Sequence, residues 1–241
     1  MDKLFQVEIL SLTFFKKILS TMRGKSEHDN SVDKKSSTNI TNSFIDSEAI
    51  ESLSGASIKL DEKFGLKSSG NCGICVKVVE IEQFKEMKEF IDNFLSIATT
   101  NKEKSGIDIS YSSLIDDYGY LWFIVKGTKL EDLISSISSI GDTIHERGFS
   151  KQLLATIFEF TSGYRNDTLK NNDIGSTQQY LIYNDKTDKF YPFVPTRDKS
   201  HDTSSKVRNH NQEIKLMEEL SDEIMFEKDL RKWYPIWNIP F

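Results

Sequence analysis

Cysteine is nearly missing from this chain: Cys72 and Cys75 are the only two. That excludes a disulfide-built secreted scaffold. No second CxxC and no nearby His pair completes a zinc set around them. Histidine is scarce as well, with only His28, His145, His201 and His210. No Gly-rich phosphate loop, GxSxG elbow or HExxH helix is present. No stretch approaches the roughly 18 consecutive apolar residues of a membrane-spanning helix. The formal charge of −6 excludes a strongly basic nucleic-acid-binding domain as a whole-protein reading. What remains is a chain of 241 residues, 37% hydrophobic and 11% aromatic, which can bury a core without disulfides or metals.

The N-terminal stretch from Leu4 to Phe15 is apolar apart from Glu8 and polar spacers, and it runs into Lys16-Lys17. A signal peptide carries its charge before the apolar run, so no secretory signal is expected. Residues 1–23 read instead as an amphipathic helix. Phe14, Phe15, Ile18 and Leu19 fall on neighbouring helical positions, with Lys16, Lys17 and Arg23 placed to meet anionic headgroups. Two readings stay open. Either the apolar face packs on the protein's own core, or Phe14, Phe15, Lys16, Lys17, Ile18 and Leu19 contact a membrane or a partner.

Residues 24–43 are rich in Ser, Asn, Asp and Lys and read as a flexible linker. A second such linker covers 196–209, and a shorter polar stretch runs from Tyr164 to Thr177. The ordered α+β domain is expected over 44–195, followed by a helix and an aromatic tail over 210–241.

Within that body the hydrophobic period switches legibly. Asp46 to Leu53 reads as a short helix, and Asn71 to Glu80 as a strand. Glu82 to Ala98 is helical, with Phe84, Met87, Phe90, Ile91, Phe94, Leu95 and Ala98 on one face. Ile107, Ile109 and Tyr111 alternate as in a half-buried strand, and Tyr120 to Val125 suits a central strand. Thr128 and Glu131 have capping-box spacing ahead of a helix that Gly148 stops. Leu153 to Phe160 is a strand, and Tyr180–Tyr183 with Phe190–Val194 form a hairpin whose Pro192 marks an edge. This order predicts a ferredoxin-like strand-helix-strand-strand-helix-strand core with an added C-terminal β-hairpin and a helical tail. In that tail Ile214, Met217, Leu220, Ile224 and Met225 sit at helical spacing as the apolar stripe, and Glu213, Glu218, Glu219, Asp222 and Glu223 form an acidic face.

Few residues invite a chemical role. A redox CxxC needs a helix N-terminus to lower its thiol pKa, but Cys72 and Cys75 lie on a valine-rich strand. Residues three apart on a strand point to opposite faces, so buried thiols are expected. Asp116 and Asp117 sit in turn chemistry and are expected to bond the local backbone. His145 lies near a helix end, where it favours the dipole. Trp233, Tyr234, Pro235, Ile236 and Trp237 are different, because so many large apolar side chains together seldom stay solvated. Either they cap the body's own core, or Trp233, Tyr234, Ile236 and Trp237 anchor a partner.

Four blocks carry a family resemblance. They are Asp116-Asp117-Tyr118-Gly119-Tyr120-Leu121-Trp122, then Asp142 to Phe149 (DTIHERGF), then Tyr180-Leu181-Ile182-Tyr183 with Tyr191-Pro192-Phe193-Val194-Pro195, and Trp233 to Trp237 (WYPIW). In this order and spacing the chain resembles the archaeal PspA-associated protein family PspAB. It is less acidic than halophilic members, and carries extra residues at the N-terminus, in 24–43 and between Gly163 and Thr177. The resemblance implies association with phage-shock-type membrane-stress proteins, and a link to a membrane-bound HtpX-type metalloprotease. It implies no catalytic residue, metal or cofactor. The expectation is a non-catalytic cytoplasmic adaptor that binds a PspA-like coiled-coil protein or an HtpX-type protease, and no nucleic acid. A peripheral lipid-binding protein at the inner face of the membrane, acting through the N-terminal helix, is the rival class. A thiol enzyme using Cys72 and Cys75 is a third.

Overall fold

The computed structural model describes residues 47–100, 108–162, 178–196 and 207–241. The expected N-terminal helix with Phe14, Phe15, Lys16, Lys17, Ile18 and Leu19 lies outside the described residues, as do the 24–43 linker and residues 197–206. His28, His201 and Ile107 fall outside them too.

Helices α1 (Ser47–Glu51) and α2 (Leu53–Phe64) lead into strand β1 (Leu66–Lys77). Helix α3 (Glu82–Thr100) follows, then the hairpin of β2 (Ile109–Ile115) and β3 (Tyr120–Gly127). Helix α4 (Leu130–Glu146) returns the chain to β4 (Leu153–Ser162), and β5 (Gln178–Asn184) and β6 (Lys189–Phe193) form a second hairpin. A two-residue ladder of β7 (Pro195–Thr196) and β8 (Val207–Arg208) precedes α5 (His210–Leu220).

The architecture is α+β. Strands β1 to β6 form one sheet in the order β2-β3-β1-β4-β5-β6. Every neighbour pair is antiparallel. Alternation on the strands then assigns two faces. Cys72, Ile74 and Val76 of β1, with Leu121, Phe123 and Val125 of β3, join the core beneath the helices. Leu53, Ala56 and Leu60 of α2, Met87 and Ile91 of α3, Ile137 and Ile144 of α4, and Leu216 and Leu220 of α5 complete that core. The opposite face carries Cys75, Trp122, Ile124, Ala155, Ile157, Tyr180, Ile182, Tyr191 and Phe193.

Helix α4 is buried over most of its length although it holds four serines and a threonine. Hydroxyls of Ser136, Ser139 and Thr143 donate to the carbonyls of Asp132, Ser135 and Ser139, four residues back. It ends where Gly148 takes φ +83°, and the Gly148 and Phe149 N–H groups donate to the His145 and Ile144 carbonyls. Its start corrects the capping-box reading. The N-cap is Lys129, in extended conformation and without a side-chain cap. Strand β3 continues to Gly127, opposite Ile109, which leaves Thr128 in the link between strand and helix.

Strand β6 is an edge strand, as Pro192 requires. That edge is closed by a parallel bridge between Phe190 and Phe226. Among the described residues no helix is long and apolar enough to cross a membrane.

Candidate protein-interaction face

The face of the sheet away from the helices is built from aromatic and branched side chains and is too apolar to stay open to water. Its cover comes from residues 233–241. Trp233 is one of its buried members, and Ile236, Trp237, Ile239 and Phe241 pack on it half-buried.

A polar lock places this segment. Glu213, on the first turn of α5, is fully buried and not part of a solvated acidic face. This corrects the reading of α5. Its Oε1 accepts from the Val194 N–H at 2.8 Å and from Arg208 Nε at 2.9 Å. Oε2 accepts from Arg208 Nε at 3.0 Å and lies 3.1 Å from His210 Nδ1. The Arg208 guanidinium donates onward to the Trp233 carbonyl at 2.7 Å and to the Pro192 carbonyl at 3.4 Å. It also stands 5.5 Å from the centre of the Phe193 ring. One planar fork therefore ties β6, α5 and the aromatic segment together.

The four tail residues named from sequence divide sharply. Trp233 is 3% exposed, and its Nε1 donates to the Glu227 carbonyl at 2.8 Å. It is a core side chain, so its replacement tests folding before it tests partner capture. Tyr234 is 59% exposed, held through its carbonyl, which accepts from the Tyr191 hydroxyl at 3.0 Å. Trp237 meets Phe193 edge to face at 5.0 Å between ring centres. Ile236 packs on the same face of the sheet. Among the four, Tyr234 is the one most open to a partner as the molecule stands.

Phe241 reaches the middle of the sheet. It packs against Trp122, 6.5 Å between ring centres, over the backbone of Gly73. A Cβ at position 73 would stand 2.8 Å from Phe241 Cε1 and 3.2 Å from the Phe123 carbonyl oxygen. Glycine there makes the slot that the ring fills.

Other residues with chemical potential are occupied locally. Cys72 and Cys75 are both buried and lie in the cores on opposite faces of the sheet. Burial raises both thiols, Cys75 to about 12. Asp116 Oδ1 accepts from the Tyr118 and Tyr120 N–H groups and Oδ2 from Trp122 Nε1, so this carboxylate holds the β2–β3 turn. Asp117 is exposed. His145 Nδ1 bonds Ser150 Oγ at 2.6 Å, joining the end of α4 to the turn before β4. No cluster of His, Cys, Asp and Glu fit to hold a metal occurs among the described residues.

The β5–β6 turn holds a carboxyl whose charged form is disfavoured. Burial pushes the Asp185 carboxyl up to about 7, with the Asp188 charge adding to the rise against a backbone hydrogen bond. Its Oδ2 is buried without a hydrogen-bond partner. Burial, with Glu146 nearby, pushes Asp142 up to about 6. A carboxyl raised in the folded state binds its proton more tightly than the unfolded chain does. Stability is then full below about pH 4 for these groups, falls as pH rises, and levels off above about pH 7. Thermal melts from pH 4 to 8 should show a shallower decline for Asp185→Asn than for the natural chain. An unchanged slope would remove Asp185 as its cause.

Sequence reasoning passed over Arg208, Glu213, Gly73 and Phe241. Arg208 stood at the margin of an expected linker, Glu213 on an expected acidic face, and Gly73 inside the CxxC. For Phe241 a signal existed: Trp237, Ile239 and Phe241 alternate at period two, as in a segment laid on a sheet.

No curated protein and no solved structure matches the chain. The family model for PspAB, PspA associated protein B, matches residues 37–241, and the chain belongs to that family.

Proposed function

We propose that this protein is a non-catalytic adaptor or regulator in a PspA-type membrane (envelope) stress response, acting from the cytoplasmic side by binding a PspA-like coiled-coil protein. The family carries the association with PspA. The observation that supports a binding role here is the aromatic segment 233–241, half-buried on the second face of the sheet with Tyr234 in solvent. Buried large aromatics beside accessible ones are the composition of a protein-binding surface. The non-catalytic reading draws on the local occupation of Cys72, Cys75, Asp116 and His145 described above. We read the β1-α3-β2-β3-α4-β4 connectivity as a ferredoxin-like core carrying an added hairpin. The order β2-β3-β1-β4 within the sheet supports that reading.

The test is capture by the tagged full chain, from its own cells and with purified components. A PspA-like protein should be enriched from the membrane fraction and should bind directly at micromolar concentration. Enrichment of an HtpX-type protease without PspA would overturn the choice of partner. Flotation of the purified chain with anionic vesicles and no protein partner would favour the lipid-binding class instead.

A further inference from the structure

The two edges of the sheet are finished differently. Edge strand β6 is closed: the Phe190 N–H donates to the Met225 carbonyl, and the Glu227 N–H to the Phe190 carbonyl. Strand β2 lies at the other edge, and among the described residues no strand pairs with its outer side. Its ladder with β3 fixes which backbone groups point outward. The Asp116 N–H donates to the Tyr120 carbonyl, so Leu114, Ser112 and Ser110 bond β3 at every second position. The N–H and C=O groups of Ile109, Tyr111, Ser113 and Ile115 therefore point away from the sheet. None of them is hydrogen-bonded to a described residue.

Natural sheets guard such an edge with charge, proline, a bulge or a short strand. The seven residues of β2, ISYSSLI, include no charge and no proline, and they pair with β3 without a break in register. The strand is also held ready. Ile109 is buried, Tyr111 stacks on Phe123, and the Tyr111 hydroxyl donates to Asp92 Oδ1 on α3. At the hairpin end of this fixed strand Leu114, Ile115, Tyr118 and Tyr120 are exposed.

We infer that β2 pairs with β2 of a second copy, antiparallel across a two-fold axis, and joins two six-stranded sheets into one. An uncharged strand meets a reversed copy of itself without a charge clash. The charges beyond its ends are opposite in balance. Asp116 and Asp117 follow it, whereas Lys126 (opposite Ser110) and Lys129 flank its start beside Asp108. Antiparallel pairing sets the acidic end of one copy against the basic end of the other. One open edge per molecule also makes the assembly close at two copies.

The alternation of outward groups permits an axis at Ser112, Ser113 or Leu114. An axis at Ser112 sets Asp116 opposite Asp108 of the second copy, a like-charge pair. An axis at Leu114 pairs fewer residues of the strand. The axis at Ser113 sets Ile115 beside Tyr111 of the second copy, a branched side chain against an aromatic ring, and Asp116 one strand from its Lys126. This pairing goes beyond the partner binding proposed above and does not depend on it.

Sedimentation and light scattering of the full chain are the test. The natural chain should be a dimer in the tens of micromolar. Ser113→Pro removes an outward N–H at the axis and no bond to β3, so it should yield a folded monomer. Ile115→Lys sets a charge on the edge and should raise the dimer dissociation constant at least about tenfold, the equivalent of about 1.4 kcal/mol. Tyr234→Ala, away from this edge, should leave the dimer unchanged. Circular dichroism establishes that each variant is folded. If Ser113→Pro does not fold, Ile115→Lys carries the test, because that side chain is 60% exposed. A natural chain that stays monomeric overturns the inference. So does a dimer that folded Ile115→Lys leaves intact, a dimer that Tyr234→Ala dissolves, or a species that grows past two copies with concentration.

Discussion

Replacing Arg208 by methionine should lower the unfolding free energy by about 3–5 kcal/mol, the loss typical of a buried ion pair deprived of one partner. The side chain is 12% exposed and its partner Glu213 not at all, so water cannot take over the contacts. Removal strands the Glu213 carboxylate, whose other partners among the described residues are the Val194 N–H and His210. It also leaves the Trp233 and Pro192 carbonyls without this donor. For a chain of this size the loss corresponds to roughly 6–20 °C in Tm. Lysine should rescue little, because a single ammonium cannot serve three separated acceptors as a planar fork does. Arg208→Met with Glu213→Leu should recover part of the loss, since the stranded charge then disappears. The measurement is chemical denaturation of the three variants as a double-mutant cycle. A single-variant loss below about 1 kcal/mol would show that the lock contributes no more than a surface pair.

Trp233→Ala should cost a comparable 3–5 kcal/mol, about the value for emptying a large aromatic from a core. Its neighbour Tyr234→Ala should change stability by less than about 0.5 kcal/mol, because that ring stands in solvent. The contrast between adjacent aromatics is the informative part. Trp233→Phe should fall between them: it keeps much of the volume but leaves the Glu227 carbonyl without its Nε1 donor. Equal losses at 233 and 234 would mean that the segment does not sit on the sheet as described. Partner capture tests both residues differently. Tyr234→Ala, which leaves the fold intact, reports on a contact, whereas Trp233→Ala reports first on the fold.

The elements that sequence made legible are those with a strong period and few competing signals. Helix α3 and strand β3 fall where periodicity places them, although Phe90 of α3 is exposed, with the Arg147 guanidinium over its ring. The split of Cys72 and Cys75 between two faces follows from strand geometry alone. Helix α2 was hidden because Ser54, Gly55 and Ser57 weaken its propensity. Its stability comes from burial of Leu53, Ala56 and Leu60 and from the Lys59–Glu223 ion pair at 3.0 Å. Gly55 is part of that packing, since a Cβ there would lie 3.1 Å from Glu223 Oε2. The interaction face was legible only as an aromatic cluster. Its lock joins Arg208 to Glu213 and its slot joins Gly73 to Phe241. No local pattern reports pairings of that kind, because each depends on which strand the fold brings alongside.

The position of β1 has a kinetic consequence. The strand is complete early in the chain, yet both of its neighbours arrive much later: Lys77 pairs with Tyr120, and Leu66 with Ser162. Neither ladder can close until the intervening chain, with a long helix in each half, has been drawn in. The entropy of that loop closure is paid before any pairing of β1 rewards it. Until then Ile74 and Val76 have no sheet to join, and the early strand is exposed to pairing with other chains. Folding of this protein is therefore governed by the search for non-local contacts, with α3 and α4 forming locally and waiting for the centre of the sheet to assemble.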